Sequence, residues 1–485
     1  MLFGIVACIV AAIAMMAWTG DYMSVINQIM LADPMDDILG DATVRLPWWH
    51  RITSVGSQQE YYGKYKKGVM QTLYNYNASP REELDDVVLP LTDQFAEVKF
   101  GVYQVMSSIG WTQEEAEDAV KGGADAVIDL VQRKVQRAPI DIRRKLNYFL
   151  ATDGTGRLGR VSGYNAGTVT VDNTKADFGW DLLQWIYNGM LIDIFTVADI
   201  TGTGAWTTKA TRVRVSSVNN AAGTFTITAV SNYGGSSIAA PPADGDFVFV
   251  TNSVKLDTAN KFARFAVPYG KMLLLDDGSS AGYEFNAGGG AGVGYNGCWY
   301  GKDIYGLDRT QYEQMMCQMW RASQWAAGGV NGTPSICSVA QIQEIIRLLD
   351  EDSEAGSLIS ALYMNGKTRD WLARTAAAEH NGFTNITSGK ITPGIVCDGF
   401  RTATGRMVDV VPMVGMPDGH MDFVCEEDLI RLEKVPVGWH MLDGKKVFTP
   451  PGARNLTQES WMRTRFNTVG LSWMHAHMED IDVTA

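Results

Sequence analysis

Residues 142–156 read IRRKLNYFLATDGTG, an amphipathic segment that runs into a glycine-containing turn. Ile142, Leu146 and Leu150 recur every four residues, which is the spacing of one face of an α-helix. The aspartate and glycines at 153–156 predict a turn that ends this helix. The helix and its turn divide the chain, and the segments on either side of them indicate the rest of the fold.

The start of the helix is predicted at Thr112, because Thr112 and Glu115 have the spacing of a capping box. Apolar residues then follow at helical spacing: Ala116, Ala119, Val120, Val127, Ile128, Val131 and Val135. Pro139 is expected to kink or restart the helix, since proline lacks a backbone donor.

A long β-hairpin is predicted over 51–105, ahead of the helix. Val98, Phe100 and Val102 alternate with polar or small residues, which is the period of a half-buried strand. Tyrosines and a polar tip occupy the rest of the hairpin: Tyr61, Tyr62, Tyr65, Tyr74, Tyr76, Arg81, Glu82 and Glu83. A two-stranded ribbon is marginally stable alone, so this hairpin is expected to lie on another surface.

Behind the helix the composition changes. Residues 161–265 are rich in Thr, Val, Gly and Asn in short alternating runs, which predicts an inserted β-barrel or β-sandwich domain. Helices are predicted at Arg309 to Ala326 and at Val339 to Asp350, and residues 284–301 are expected to form a glycine-rich loop. The C-terminal residues 426–485 have the patterning of strands.

The N-terminal segment from Leu2 to Trp18 is apolar throughout apart from Gly4. Its length is at the short end for a membrane span, and no Lys or Arg precedes Arg45. We therefore expect an arm helix that packs against a neighbouring subunit. A membrane or targeting segment is the alternative.

The bulk composition excludes some classes of function. The chain has 485 residues, 46% hydrophobic and 20% charged, enough apolar material for roughly three structural units. A net charge of −13 is unlike that of a dedicated DNA-binding protein. The six cysteines form no CxxC pair, so free thiols are expected: Cys8, Cys298, Cys317, Cys337, Cys397 and Cys425.

Several strings resemble catalytic or ligand motifs but lack the required context. Ser280 lies in a Gly-x-Ser-x-Gly string that no predicted helix follows. The glycines at 292, 294 and 297 precede an aromatic segment where a dinucleotide-binding loop needs a helix. His475 and His477 would share one strand face but have no evident third metal ligand. Glu426 to Asp428 is typical of a turn or a helix start. The sequence predicts no enzyme, no cofactor and no metal site.

The order of parts resembles the major capsid proteins of tailed double-stranded-DNA bacteriophages, which have the Hong Kong ninety-seven-like fold. Related proteins carry a string similar to residues 142–156 at the end of their spine helix, followed by an inserted β domain that begins like TVTVDN at 168–173. Residues 305–309, YGLDR, are similar as well. The apolar residues 1–20 depart from the charged scaffolding region of some members, so scaffolding is expected to be separate or unnecessary.

The resemblance implies an α+β fold with seven parts. They are an N-terminal arm (1–50), an E-loop (51–105), a spine helix of the P domain (106–160), an inserted β domain (161–265), the remaining P domain with a glycine-rich loop (266–357), an A domain (358–425) and C-terminal P-domain strands (426–485).

It also implies residues and partners. Candidate inter-subunit contacts are Trp18, Tyr61, Tyr62, Tyr65, Tyr74, Tyr76, Arg81, Glu82 and Glu83. Some members cross-link a lysine to an asparagine, for which Lys64, Lys66 or Lys67 and Asn455 or Asn467 are the candidates here. A solvated strand edge is the alternative interpretation of these lysines. The implied partners are further copies in hexamers and pentamers, a portal, a separate scaffolding or decoration protein, and packaged DNA without sequence-specific contact. The implied location is the virion, after assembly in the host cytoplasm.

Two other classes of function remain open from the sequence. An encapsulin-type shell shares the fold but usually lacks a large inserted β domain. A secreted or membrane-tethered β-rich binding protein would account for the apolar N-terminus and the strands of 161–265. A hydrolase would need a convergent triad or paired carboxylates, and no such spacing is present.

Overall fold

The computed structural model describes the following residues of the chain: 47–55, 65–73, 94–112, 138–146, 157–171, 185–197, 206–230, 236–251, 254–255, 262–263, 303–304, 307–308, 318–322, 335–352, 358–380, 399–402, 406–413, 416, 418–442, 445–446, 457–470, 475–479 and 481–484. They divide between two compact units. Unit 1 takes its residues from 1–57, 103–148 and 432–466, and unit 2 from 58–102, 149–431 and 467–485.

Unit 1 is built on a four-stranded sheet. Its strands are β1 (Thr53–Val55), β4 (Tyr103–Thr112), β21 (Ile430–Trp439) and β22 (Thr457–Val469), in the order β1-β21-β22-β4. The short helix α1 (Pro47–Arg51) precedes β1, and residues 138–146 are helical. β4 and β22 pair antiparallel from Thr112 opposite Thr457 to Tyr103 opposite Phe466.

One face of this sheet forms the core of unit 1. Alternate residues of β22, including Met462 and Phe466, are buried, as is Val105 of β4. The rings of Trp49 and Phe466 meet edge to face with centroids 5.1 Å apart. Two-residue alternation places these side chains together because it directs every second residue to the same face.

The helix predicted around Ile142 and Leu146 is confirmed at residues 138–146, where both side chains are fully buried. Pro139 lies in its first turn, where a missing backbone donor breaks no helical bond. Thr112 is the last residue of β4. An N-cap residue has an extended backbone, so this position is compatible with capping a helix. The predicted helix from 113 to 137 lies outside the described residues.

Unit 2 contains the predicted hairpin as a two-stranded antiparallel ribbon of β2 (Tyr65–Leu73) and β3 (Gln94–Gly101). Tyr65 lies opposite Gly101, and a register shift follows Gln71. Within the described residues, neither strand pairs with any other sheet. A two-stranded ribbon cannot bury both of its faces on its own.

A second part of unit 2 is an all-antiparallel ring of six strands. Its members are β5 (Arg157–Asn165), β6 (Thr168–Val171), β7 (Leu191–Val197), β8 (Trp206–Asn219), β9 (Thr224–Thr228) and β11 (Phe247–Val250). The order β8-β7-β11-β5-β6-β9 closes because β9 also pairs with β8. β10 (Ser237–Ile238) pairs with the first half of β8. Among the described residues these strands pair only with one another.

The ring closes because β8 is long and irregular. Its first half pairs with β7 and its second half with β9, with Arg214 bonded on both sides. Arg212 has a φ of 49°, which marks the point where the strand bends. Asp193 stabilises the bend, since its Oδ1 accepts the Arg212 backbone N–H at 2.6 Å and the Thr251 hydroxyl at 2.9 Å.

The third part of unit 2 is a six-stranded mixed sheet. Its strands are β16 (Gln318–Arg321), β17 (Ala361–Met364), β18 (Gly399–Arg401), β19 (Met407–Pro412), β20 (Met421–Val424) and β23 (Ala476–Glu479), in the order β16-β23-β20-β17-β19-β18. Two helices accompany it: α2 (Val339–Asp352) and α3 (Gly366–His380). Two further strand pairs, β12 (Val254–Lys255) with β13 (Phe262–Ala263) and β14 (Asp303–Ile304) with β15 (Leu307–Asp308), complete the described strands.

The helix predicted at Val339 to Asp350 is confirmed by α2, and its start is a reciprocal capping box. The Gln341 backbone donates to Ser338 Oγ at 3.3 Å, and the Ser338 backbone donates to Gln341 Oε1 at 2.7 Å. The helix predicted from Arg309 to Ala326 is wrong at 318–321, which form β16. These residues pair in parallel with β23, so long-range pairing overrides a local apolar pattern that fits either structure.

The C-terminal strands do not form one block. β21 and β22 belong to the four-stranded sheet, whereas β23 pairs with β16 and β20 in the six-stranded sheet. The sequence predicted strands over 426–485 but contained no signal for this division, because it follows from the pairing of β22 with β4 and of β23 with β16, and both partners lie far away in the chain.

Gly419, beside the six-stranded sheet, gives a prediction about its packing. Its φ is +76°, and an added Cβ would meet the Ile481 carbonyl oxygen, whereas Gly245 has a φ of +87° with open space around it. Gly419→Ala is expected to lower the free energy of unfolding by about 3 kcal/mol, and Gly245→Ala by about 1 kcal/mol from backbone strain alone. Urea unfolding of both variants measures the difference, and equal losses would contradict the close approach.

Candidate assembly surface

The β2–β3 ribbon has two unlike faces, which its register defines. Lys67, Val69, Phe95 and Glu97 lie on one face, since Val69 is opposite Glu97 and Lys67 opposite Lys99. Val69 is 73% exposed and Phe95 is 63% exposed. On the other face Val98 is only 2% exposed. The ribbon thus buries one face within the chain and presents two large apolar side chains on the other.

Charged side chains flank the exposed apolar pair. Lys67 Nζ lies 2.8 Å from Glu97 Oε1, and this hydrogen bond, with the lysine charge, lowers the pKa of the Glu97 carboxyl. Both groups are exposed, so the ion pair contributes little to stability. Charges at a strand edge discourage unspecific pairing. The arrangement leaves Val69 and Phe95 available to a surface that accommodates both the apolar side chains and the charges beside them.

Gly68 allows the ribbon to bury its inner face. An added Cβ there would lie 2.9 Å from Phe100 Cε2 and 3.1 Å from Val98 Cγ2. Because Gly68 has no side chain, the Phe100 ring can pack closely against the backbone of β2 at this position.

The predicted contact residues fall mostly outside the described part of the chain. Tyr65 begins β2 and Lys66 follows it. Lys67 is exposed and paired with Glu97. Asn467 is fully buried, and its Nδ2 donates to the Gly101 carbonyl at 2.7 Å. The others lie outside the described residues: Trp18, Tyr61, Tyr62, Lys64, Tyr74, Tyr76, Arg81, Glu82, Glu83 and Asn455.

A cross-link through Asn467 would require the end of β22 to open, because the side-chain amide is buried and bonded within the chain. The predicted cross-link thus stays a prediction, as do the contacts assigned to the tyrosines and to the apolar arm from Leu2 to Trp18.

The six-stranded sheet holds a buried chain of titratable side chains. Tyr363, Asp422 and His477 are register neighbours on β17, β20 and β23, so they share one face. His477 Nδ1 lies 2.5 Å from Asp422 Oδ1, and His477 Nε2 lies 3.0 Å from His420 Nδ1. The side chains of His420, His477 and Asp422 thus form a continuous line of close polar contacts.

The sequence predicted that His475 and His477 would share one strand face, but each histidine contacts a different aspartate, Asp428 or Asp422. His475 Nδ1 accepts the Cys425 backbone N–H, and its Nε2 lies 3.2 Å from Asp428 Oδ2. No cluster of three or more metal-ligating residues was found within the described ranges. The sequence could not indicate His420 or Asp422 as partners, because only the pairing of β20 with β23 brings them to His477.

The acidic run from Glu426 to Asp428 forms a turn after β20. Glu426 accepts the Tyr363 hydroxyl at 2.7 Å, and Asp428 binds His475. The turn is therefore tied to the sheet on both sides. Burial also raises the pKa of the neighbouring Cys425 thiol, so this cysteine is a buried neutral group.

The catalytic strings rejected from the sequence, at Ser280 and at Gly292 to Gly297, lie outside the described residues. So does the apolar arm. Of the helices that the structure describes, none has the length and apolar character needed to span a bilayer.

Comparison with known proteins gives structural matches only. No family profile matches the chain, and no curated protein matches it. Among solved structures, the chain is similar to the cyanophage A-1(L) capsid asymmetric unit, at 9% identity over 90% of this chain and 92% of that chain, with a TM-score of 0.42. It is also similar to a chain of Mycobacterium phage Bobi, at 10% identity over 89% of each chain and a TM-score of 0.38.

A further match is the capsid of a native GTA particle, at 9% identity over 90% of this chain and 89% of that chain, with a TM-score of 0.32. At identities near 10% and TM-scores below 0.5, the function of this chain has to be argued from its own residues.

The histidine chain predicts a pH dependence of stability. Burial, and then the charge of His477, lower the pKa of His420 well below its usual value. Below about pH 6.5, His420 therefore binds a proton in the unfolded chain but not in the folded chain. The free energy of unfolding is thus highest above this pH and falls as the pH decreases below it. The slope for one group is at most about 1.4 kcal/mol per pH unit.

His420→Gln keeps a donor for His477 but cannot titrate, so it should flatten the fall of the thermal midpoint between pH 7 and pH 5. The exposed His50, changed in the same way, is the control and should leave the fall intact. A His420→Gln profile parallel to that of the unchanged chain would show that His420 does not set the acid sensitivity.

Proposed function

We propose that this chain is the major capsid protein of a tailed double-stranded-DNA bacteriophage. It assembles through hexamers and pentamers into an icosahedral head, and its role is structural rather than enzymatic. The observation that carries the proposal is the β2–β3 ribbon, which exposes Val69 and Phe95 and pairs with no other described strand. The order of parts along the chain supports it.

The ribbon argues for self-association on energetic grounds. Burying a Val or Phe side chain contributes about 1.5–3 kcal/mol. One ribbon therefore supplies a few kcal/mol per contact, too little for a stable isolated dimer once the cost of association is included. In a closed shell every copy gives and receives the same contact, so modest energies accumulate. We infer that the ribbon is the E-loop and lies on a neighbouring subunit.

The remaining parts are assigned in the same way. Residues 106–160, 266–357 and 426–485 form the P domain, and residues 358–425 form the A domain at fivefold and sixfold centres. Residues 161–265 form an inserted β domain on the outer face of the shell, and this domain contains the ring of strands apart from the first residues of β5. Its strands pair only with one another in the described structure, which supports a separable domain.

The partners follow from this function. They are other copies of the chain, a portal, a separate scaffolding or decoration protein, and packaged DNA that is held without sequence-specific contact. The arm from Leu2 to Trp18 packs on a neighbour rather than in lipid. Lys64, Lys66 or Lys67 with Asn455 or Asn467 remain the candidates for a covalent cross-link.

Two alternatives differ in measurable ways. An encapsulin-type shell would form small closed particles without a portal or DNA. A membrane-tethered binding protein would place the first 18 residues in lipid and stay unassembled in solution. Neither accounts for the ribbon as directly, because neither explains both the exposed apolar pair and the long inserted β domain.

Replacing the exposed pair tests the ribbon. The double variant Val69→Ser, Phe95→Ser should keep the thermal midpoint, since both side chains are exposed, but should raise the protein concentration needed for assembly by at least about tenfold. Sedimentation velocity across a concentration series measures this. Ile336→Gln is the control, because Ile336 is 74% exposed but lies outside both the ribbon and residues 358–425.

The control variant should assemble as the unchanged chain does. If the double variant assembled at the same concentration as the control, the ribbon would not be an assembly contact. If the unchanged chain stayed monomeric throughout, the proposed function itself would fail.

A further inference from the structure

The outer face of the four-stranded sheet in unit 1 carries a compact basic cluster. Arg463 and Arg465 lie two residues apart on β22, so both point to the face opposite the core. Opposite them on β4 are Met106 and Gln104. Met106 is 37% exposed, so this face is open to solvent at the cluster.

An aromatic pair adjoins the two arginines. The ring of His440, just after β21, stacks on Trp461 with centroids 5.9 Å apart and an interplanar angle of 8°. Trp461 is two residues from Arg463, on the same face of β22. The cluster is therefore a row of Trp461, Arg463 and Arg465 along one strand, with His440 beside it.

Neither arginine of the cluster bonds to a carboxylate of the described residues. Arg465 Nε donates to Gln104 Oε1, a neutral acceptor, at 2.7 Å. Arg463 makes no hydrogen bond or ion pair with the residues that the structure describes. Glu459, the nearest acid along the strand, accepts the Trp461 Nε1–H at 2.9 Å. Both guanidinium groups thus keep donors and charge for an external ligand.

The pKa shifts of Arg463 and His440 reflect the positive charge of the cluster. Burial, and then the charge of Arg465, lower the pKa of Arg463. Burial, and then the charges of Arg463 and Arg465, lower the pKa of His440. Among the described residues, no carboxylate bonds to either guanidinium group, although the chain carries 54 acidic residues against 41 Lys and Arg. The two adjacent arginines therefore leave a position for an external anion.

We propose that Arg463 and Arg465, with the Trp461–His440 pair beside them, bind the phosphate backbone of double-stranded nucleic acid. The inference rests on the proposed function, which brings such a polyanion into contact with the chain. Planar guanidinium groups bind phosphate oxygens through paired hydrogen bonds. Residues two apart on a strand are about 6.6 Å apart, so the two charges form a linear array that suits a continuous row of phosphates.

A duplex fits this face better than a carboxylate-rich segment of a second copy. The polar residues that flank the arginines on β4 are Gln104 and Ser108, and both types commonly contact phosphate oxygens. Backbone phosphates are the same in every sequence, so a contact confined to them reads no sequence. Since the chain as a whole carries −13, the binding is local, weak and strongly dependent on salt.

The test measures fluorescence anisotropy of a labelled 30-base-pair duplex with the full chain, between 50 and 200 mM NaCl. Arg463→Gln with Arg465→Gln should weaken binding by about tenfold at 50 mM NaCl, and should reduce the slope of log affinity against log salt by roughly 2. Arg347→Gln is the matched control, because Arg347 already pairs with Glu344 and Glu351. Thermal midpoints check that each variant is folded.

If Arg347→Gln lost as much duplex affinity per removed charge as the double variant, net charge alone would explain the binding. That result would overturn the proposal. Polyglutamate serves as a competitor of the other chemical class. If the double variant lost polyglutamate binding but bound the duplex as before, the face would be a protein-docking site instead. Shell formation is followed separately by light scattering, so a chain that forms shells without this DNA contact refutes only this inference.

Discussion

The antiparallel pairing of β4 with β22 is the interaction on which unit 1 depends. It joins residues far apart in the chain, as the bond between Arg465 and Gln104, 361 positions away, illustrates. One face of this pair supplies the core around Phe466, and the other face presents the two arginines. The ring of strands and all of the six-stranded sheet except β23 lie between these two strands in sequence. Bringing the two strands together closes a very long loop, which is slow and costs entropy. The pairing of β4 with β22 along nearly their whole length offsets this cost.

The β2–β3 ribbon enters β4 after a single residue, yet it has no sheet of its own to complete among the described strands. Its buried Val98 and exposed Val69 and Phe95 follow from strand alternation in a ribbon with one covered face. In a monomer this exposed apolar pair would favour nonspecific association. In a shell it becomes a contact that each copy both offers and receives, and this difference connects the local geometry to the proposed function.

The sequence predicted those features that depend on local pattern. The hairpin, the helical residues around Ile142 and the helix from Val339 are of this kind, because periodicity and capping determine them. Features that depend on distant pairing were missed. A helix was predicted at β16 because its local apolar pattern fits either structure, and its strand partner β23 lies more than 150 residues away. The His420–His477–Asp422 contacts exist only through the pairing of β20 with β23. The basic cluster was equally invisible, since it needs both the register of β22 and the position of His440.

Cryo-electron microscopy of the purified full chain shows whether the ribbon joins one subunit to the next. We expect closed shells with fivefold and sixfold centres, in which density for the β2–β3 ribbon lies across an adjacent subunit. Monomers or open aggregates over a broad concentration range, or shells in which Val69 and Phe95 face solvent, would contradict it.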